Sequence, residues 1–324
     1  AILFFTGAVG QFTLWIWGLT EGVTPFLLFT TGILSGTIRA GDQTTRTVLS
    51  KDLFSPDDYG DLNRCLEVAR QFITFLAGGL GGLLLAYGNF TSILLLDCLS
   101  YLVGGLLILK LKTTQTFTQK KTTIWDGPKA VFSFLSQNKA FTTFSFLTMI
   151  PFILVVVQNV LYPIHFKAFL GLEGGAFAFL SIPYGAGAIS SAWLGPKLKK
   201  SLGETFMILV LFMAYTFATL LIGICQNVGV TYGCLFLFAC CHSCIRIERM
   251  TLLMKKVPNE MAGRITGFFD LIALLFNIIL TFLIGHITDT YSLVHSWLFL
   301  GLIMLVSTLS LSLKRSHRPI PLPQ

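Results

Sequence analysis

The stretch LLMKKVPNEMAGRITGFFDL, from Leu252 to Leu271, has a counterpart about two hundred residues earlier, VLSKDLFSPDDYGDLNRCLEV, from Val48 to Val68. Each copy passes from an apolar end through a lysine, a proline and an acidic cluster to an arginine and a new apolar run. Proline has no backbone N–H and ends the preceding helix. Pro56 and Pro258 therefore predict the same break between two helices at two places in one chain.

The composition places both junctions in a membrane protein. Hydrophobic residues make up 54% of the 324-residue chain, charged residues make up 12%, and the mean hydropathy is +0.76. Soluble domains contain about 25% charged residues, and a water-soluble fold of this size could not bury so much apolar surface. The sequence predicts an all-α polytopic membrane protein.

Ten apolar stretches reach the length of about 20 residues that crosses a bilayer. Several contain glycine, which membrane helices tolerate because small residues let their backbones approach closely. The predicted spans are Ala1–Leu19, Thr24–Leu49, Glu67–Ala86, Thr91–Leu111, Phe141–Pro163, Gly175–Leu194, Thr205–Ile224, Val230–Met254, Gly263–Ile287 and Leu293–Leu313.

Lysine and arginine orient these spans, since they collect in short cytoplasmic loops. With the junction at Ser50–Arg64 inside, the basic residues of the other connections and of the C-terminal tail also fall inside, and Lys167 alone falls outside. This pattern predicts a multi-pass protein with a cytoplasmic C-terminus. It also accounts for the net charge of +8, so no nucleic-acid partner is expected.

The repeated junction divides the chain into two halves of the same orientation. Residues 1–111 hold four spans, 112–140 a cytoplasmic linker with an amphipathic stretch at Ile124–Asn138, 141–313 six spans, and 314–324 a cytoplasmic tail. Two parallel repeats joined by such a linker are typical of transporters. Because the first half is two spans short and opens inside an apolar run, we expect an N-terminally incomplete copy without a cleaved signal peptide.

Four motifs resemble those of a known family. VPNEMAGRITG (Val257–Gly267) is similar to a junction before the family's eleventh helix, and FSPDDYGDLN (Phe54–Asn63) is similar to its first-half counterpart. LLLDCLSYL (Leu94–Leu102) resembles the sixth helix, and GDQTTRTVLSKDLF (Gly41–Phe54) resembles the end of the fourth. Together they resemble the major facilitator superfamily, in particular its bacterial branch of enterobactin-type siderophore exporters and macrolide-efflux proteins.

The resemblance implies a fold of two pseudo-symmetric parallel halves, in which the ten spans correspond to helices three to twelve of twelve. The family's strongest signature, a loop with Asp-Arg between the second and third helices, would precede Ala1. The corresponding stretch in the second half of the chain is GPKLKKSLG (Gly195–Gly203), which we interpret as a loop. There Lys199 stands about where the family has an aspartate, so the stretch departs from the family's charge-based cytoplasmic gate.

Charged residues within the spans are costly in hydrocarbon and by default suggest function. Arg39, Asp42 and Arg46 share one helix face by their spacing, and Arg246, Glu248 and Arg249 repeat the theme in the second half. The alternative is that these side chains extend to the headgroup level. The residues predicted to form a cytoplasmic gate are Arg39, Asp42, Arg46, Glu67, Arg249, Arg264 and Asp270.

Coupling to protons would need a carboxylate or histidine that titrates inside the membrane. The candidates are Asp97, Asp270 and His242, while Asp97 could instead be a structural hydrogen-bonded group. His242 lies beside Cys240, Cys241 and Cys244, but no second group of ligands is near in sequence. A soft-metal site needs more ligands than these, so no metal or other cofactor is expected.

Substrate contacts are predicted from the resemblance, which implies that the family's fourth, seventh and tenth helices line a central cavity. The candidates on the corresponding spans are Thr31, Ser35, Gln158, Asn159 and Ser243. The alternative for such polar residues is hydrogen bonding between neighbouring helices.

The function that the resemblance implies is secondary active transport by alternating access. We expect proton-driven export of a small amphipathic molecule, a drug or a siderophore, by a monomeric antiporter of the bacterial inner membrane. Alternatives are a lysophospholipid transporter of the same superfamily or a truncated, transport-inactive remnant. An enzyme is not expected, because no Ser/His/Asp or Cys/His set falls at one membrane depth.

Overall fold

The structure is a computed structural model that describes residues 1–87, 90–110, 126–171 and 181–317. These ranges form eleven α-helices and no strand, which confirms the all-α prediction. A π-helical segment, His165–Phe169, follows α6. The helices are α1 (Ile2–Glu21), α2 (Pro25–Leu53), α3 (Tyr59–Tyr87), α4 (Phe90–Leu109), α5 (Asp126–Gln137), α6 (Lys139–Ile164), α7 (Ser181–Leu202), α8 (Glu204–Ile224), α9 (Val228–Lys256), α10 (Asn259–Thr290) and α11 (Leu293–His317).

Seven helices in the described ranges are long and apolar enough to cross a membrane: α1, α4, α6, α8, α9, α10 and α11. The other three predicted spans also fall on helices, α2 and α3 of 29 residues each and α7 of 22 residues. Their lower hydropathy has a visible cause in α2, whose C-terminal half carries Arg39, Asp42, Arg46 and Lys51. The polytopic helical class is therefore confirmed.

Two helices extend beyond the spans predicted from hydropathy, because polar turns continue them. The third span was predicted from Glu67, but α3 begins at Tyr59, directly after the turn at Pro56–Asp58. GPKLKKSLG is not a loop, since α7 includes Pro196 and continues to Leu202. Gly203, with a φ of 75°, separates α7 from α8, and glycine adopts such a positive φ without strain.

Parts of three predictions lie outside the described residues. They concern residues 112–125 of the linker, residues 175–180 of the sixth span and residues 318–324 of the tail; residue 111, the last of the fourth span, also lies outside. The amphipathic stretch of the linker forms α5, as predicted, over Asp126–Gln137.

Inter-residue contacts divide the chain into two compact units. Unit one is Ala1–Pro56, Leu76–Thr123 and Val257–Gly267. Unit two is Asp57–Phe75, Ile124–Lys256 and Phe268–Gln324. The division therefore falls inside two helices, α3 and α10.

Unit one is built on the packing of α1 against α4 and α2. Leu14, Leu27 and Leu94 form its buried apolar cluster, one residue from each helix. The buried Gln11 of α1 donates a hydrogen bond from Nε2 to Ser35 Oγ of α2 at 2.9 Å. Apolar packing and one polar bond thus hold the three helices together.

Unit two contains closely approaching helix pairs, α7 with α9 and α11 with α8. A Cβ added to Gly187 of α7 would collide with the backbone carbonyl of Phe236 in α9. In the other pair, Gly223 of α8 faces Trp297 of α11, whose side chain is fully buried. Small residues permit such approaches in membrane helices, where close packing replaces the hydrophobic effect as a driving force.

The two copies of the repeated junction contact each other. Within unit one, the buried Lys51 donates from Nζ to the carbonyl of Val257, which follows the last residue of α9. Within unit two, Asn63 Nδ2 lies 3.5 Å from Met254 Sδ. In each unit, a residue of the first copy of the junction thus contacts a residue of the second copy.

The chain has seven cysteines, and all are free thiols. Cys65 of α3 is exposed, Cys225 is half-buried, and the other five are buried.

Candidate functional site

A buried carboxylate of α3 is the centre of the candidate site in unit two. The Glu67 side chain is only 4% exposed. Its Oε1 atom accepts hydrogen bonds from Gln71 Nε2 at 2.9 Å and from Ser243 Oγ of α9 at 3.1 Å. Gln71 is one helical turn after Glu67, so the first bond follows from sequence spacing. The second joins residues that are 176 positions apart.

Two arginines lie near the other oxygen of this carboxylate. Arg246 Nε of α9 is 3.7 Å and Arg70 NH1 of α3 is 3.6 Å from Glu67 Oε2. The Arg246 guanidinium also lies over the ring of Phe152 in α6, 5.4 Å from its centre. A carboxylate is costly to bury unless positive charges and hydrogen bonds compensate it, and Glu67 has both.

Three more ionisable residues extend this group. His242 is buried, its ring stacks on Phe152 with centres 6.1 Å apart, and neither ring nitrogen has a hydrogen-bond partner. It lies within electrostatic range of Glu67 and Arg249. Arg249, 8% exposed, lies within electrostatic range of Asp270 in α10. We call the following residues the Glu67 cluster: Glu67, Arg70, Gln71, His242, Ser243, Arg246, Arg249 and Asp270.

The predicted gate residues fall into two groups. Glu67, Arg249 and Asp270 belong to the Glu67 cluster, whereas Arg39, Asp42, Arg46 and Arg264 belong to unit one. Asp42 and Arg46 form an ion pair along one face of α2, and their side chains are 25% and 48% exposed. Arg39 and Arg264 are exposed.

The predicted substrate contacts are also dispersed. Thr31 Oγ1 donates to the carbonyl of Leu27 in its own helix at 2.8 Å. Ser35 accepts the bond from Gln11, and Gln158 Oε1 accepts a bond from the Tyr215 hydroxyl of α8 at 2.9 Å.

The Gln11–Ser35 bond and the Tyr215–Gln158 bond each join two helices. Asn159, next to Gln158, is exposed, and Ser243 faces Glu67.

Asp97 of α4 lies in unit one, apart from the other proton-coupling candidates. It is half-buried and hydrogen-bonded to Ser100, three residues further along the same helix. His242 and Asp270, by contrast, both belong to the Glu67 cluster. In the part of the chain that the structure describes, no three His, Cys, Asp or Glu side chains could together hold a metal ion.

A second ionic group was missed at the sequence level. Lys199 Nζ of α7 lies 2.7 Å from Glu248 Oε2 of α9 and 2.9 Å from Glu204 Oε2 of α8. Lys199 was noted only as a departure from the family pattern. Its partner Glu248 is 49 residues away in sequence, so no local spacing indicates the pair.

Comparison with solved structures shows which proteins share this fold. The human organic anion transporter MFSD10 (TETRAN) is 14% identical, with a TM-score of 0.75 over 95% of this chain and 76% of that chain. A bacterial homologue of the iron transporter ferroportin, in an outward-facing state, is 15% identical, with a TM-score of 0.66 over 96% and 81% of the two chains.

The Fucose:proton symporter FucP of E. coli is 14% identical to the chain, with a TM-score of 0.71 over 96% of this chain and 83% of that chain. None of the curated proteins compared with the chain gives a significant match. The family model of the Major Facilitator Superfamily matches residues 1–273. Since that match spans most of the 324 residues, the chain belongs to the Major Facilitator Superfamily.

Proposed function

We propose that the chain is a proton-driven secondary transporter that exports a small amphipathic molecule, a drug or a siderophore, by alternating access. The observation that carries the proposal is the Glu67 cluster, in which a buried carboxylate of α3 meets a serine and an arginine of α9. Ionisable groups inside membrane segments are costly and are retained where they serve transport or proton relay.

Protonation of Glu67 would link a proton to a helix movement. The ionised carboxylate attracts Arg246 and accepts the bond from Ser243. A proton removes the negative charge that attracts Arg246 and Arg70, so the contact between α3 and α9 weakens. Two further titratable groups would respond to this change of charge: His242 is within electrostatic range of Glu67, and Asp270 is within electrostatic range of Arg249.

The substrate class and the direction rest on the family resemblance. The three similar structures are those of an organic anion transporter, a homologue of an iron transporter and a fucose:proton symporter, so the shared fold does not select a substrate. The motifs at Phe54–Asn63 and Val257–Gly267 favour the bacterial efflux branch. With that branch come a location in the bacterial plasma membrane and a cytoplasmic C-terminus, which the basic connections also favour.

The test is transport by everted membrane vesicles that contain the protein, with a panel of dyes and siderophores and with or without a proton gradient. We expect gradient-driven accumulation that is lost in Glu67→Gln. The matched control is Asp61→Asn, which changes an exposed carboxylate of the same helix that pairs with Arg64.

Substrate exchange without a gradient separates loss of coupling from loss of folding. A Glu67→Gln protein that still exchanges substrate but no longer accumulates it would support proton coupling at this residue. Full accumulation by Glu67→Gln would contradict the proposal. Movement of lysophospholipid alone would favour the lipid transporter, and a folded protein that moves nothing would favour the inactive remnant.

A further inference from the structure

A cavity in unit two is lined by residues outside the Glu67 cluster and has no role in the proposed coupling. It has a volume of about 380 Å³ and lies among α3, α7, α8 and α9. That volume is at the small end of ligand sites, which run from about 300 to 1,000 Å³. It suits the headgroup of a lipid but not its acyl chains.

The charges around this cavity are mainly positive. Four cationic side chains and two carboxylates line it: Arg64, Lys199, Lys200, Lys255, Asp57 and Glu248. Lys199 is shared by Glu248 and Glu204, and Arg64 pairs with Asp61. Lys200 and Lys255 are exposed and form no ion pair with any described residue. The rim of the cavity therefore carries two lysines without an ion pair to a described residue, Lys200 and Lys255, beside one exposed carboxylate, Asp57.

Neighbouring residues place the cavity at the level of lipid headgroups. Trp193 of α7, one turn before the lining residue Pro196, is 66% exposed. Lys197 Nζ lies over its ring, 3.3 Å from the centre. Tryptophan is enriched at membrane–water interfaces, where one end of the ring system is apolar and the other is wet. On α9 the lining residue Lys255 is the next-to-last residue of the helix.

From this geometry we propose that the cavity binds the phosphate-containing headgroup of an anionic phospholipid. Lys200 and Lys255 contact the phosphate from the open side, and the hydroxyl of Thr251, which also lines the cavity, faces the polar part of the headgroup. Basic pockets between membrane helices recognise anionic headgroups in this way. The proposal concerns lipid recognition and does not depend on the proposed transport function.

The test measures binding of phosphatidylglycerol to the full-length protein by native mass spectrometry in detergent, with phosphatidylcholine as the zwitterionic comparison. We expect preferential binding of phosphatidylglycerol that weakens roughly fivefold for each lysine removed, the factor for one basic residue near an anionic surface. The double variant Lys200→Gln/Lys255→Gln should therefore bind roughly twenty-five-fold more weakly.

The matched control is Lys197→Gln/Lys256→Gln, which removes two exposed lysines from the same two helix ends but outside the cavity lining. Its affinity should stay near that of the parent protein. If both double variants lose the same affinity for phosphatidylglycerol, or if neither loses any, the proposal of a lipid site in this cavity is wrong. Inorganic phosphate forms a third arm: if it displaces the lipid at equal concentration, the cavity is a general phosphate site and the lipid assignment is wrong.

Discussion

The Asp42–Arg46 pair of unit one and the Glu67–Arg246 pair of unit two use the same charges in different surroundings. Asp42 and Arg46 lie one turn apart on α2, with side chains 25% and 48% exposed. Glu67 and Arg246 lie on different helices, with side chains 4% and 14% exposed. The first pair needs only a helix to form, whereas the second needs α3 and α9 to pack.

Because of this difference, the two ion pairs respond to different structural changes. An exposed pair one turn apart contributes a few tenths of a kcal/mol and responds to its own helix. A buried pair between helices resists the loss of either partner, because the remaining charge has no compensation. Of these two pairs, we therefore expect only Glu67–Arg246 to make the packing of two helices depend on a proton.

The largest expected effect comes from removing the buried carboxylate. Glu67→Ala should lower the free energy of unfolding by about 3 kcal/mol, because Arg246 and Arg70 lose their shared partner in a buried site. Asp42→Ala should change it by less than about 0.5 kcal/mol. Thermal and denaturant unfolding of the purified protein in detergent measure both values. If Glu67→Ala and Asp42→Ala lose similar free energies of unfolding, the buried pair is no more stabilising than the exposed pair.

A smaller effect is expected from the serine that binds Glu67. Ser243→Ala should cost about 1.5 kcal/mol, the contribution of a hydrogen bond to a charged group, measured by the same unfolding assay. Ser190→Ala is the control, since the Ser190 hydroxyl bonds only to the carbonyl of Ala186 in its own helix. If the two serine variants unfold alike, Ser243 does not support the carboxylate.

The smallest effect concerns the exposed pair itself. A double-mutant cycle on Asp42 and Arg46, with alanine at each position, should give a coupling energy of about 0.4 kcal/mol. High salt should reduce it, because the charges are open to screening. A coupling above about 1.5 kcal/mol that is insensitive to salt would place this pair with the buried one.

The sequence predicted the part of the structure that depends on local pattern. Hydropathy located the helices, and proline located both junctions. The start of α3 at Tyr59 and the last two turns of α7 were missed, because these turns are polar and hydropathy does not separate a polar helical turn from a loop.

The candidate site could be predicted residue by residue but not as a group. Glu67, Arg249, Asp270, His242 and Ser243 were each singled out, under three separate roles, because ionisable and polar residues in apolar runs are conspicuous. Their convergence depends on the packing of α3, α9 and α10. Glu67 and Ser243 are 176 positions apart, and no periodicity connects residues at that separation.

The distribution of thiols gives the chain a built-in reporter of membrane sidedness. Cys65 is the one exposed cysteine of seven, and it follows Arg64 at the edge of the basic cavity. A membrane-impermeant maleimide should therefore react faster at Cys65 than at the half-buried Cys225, without any engineered cysteine. If the basic connections face the cytoplasm, everted vesicles will be labelled at Cys65 and sealed right-side-out vesicles will not. The same adduct would report when α3 becomes shielded during transport.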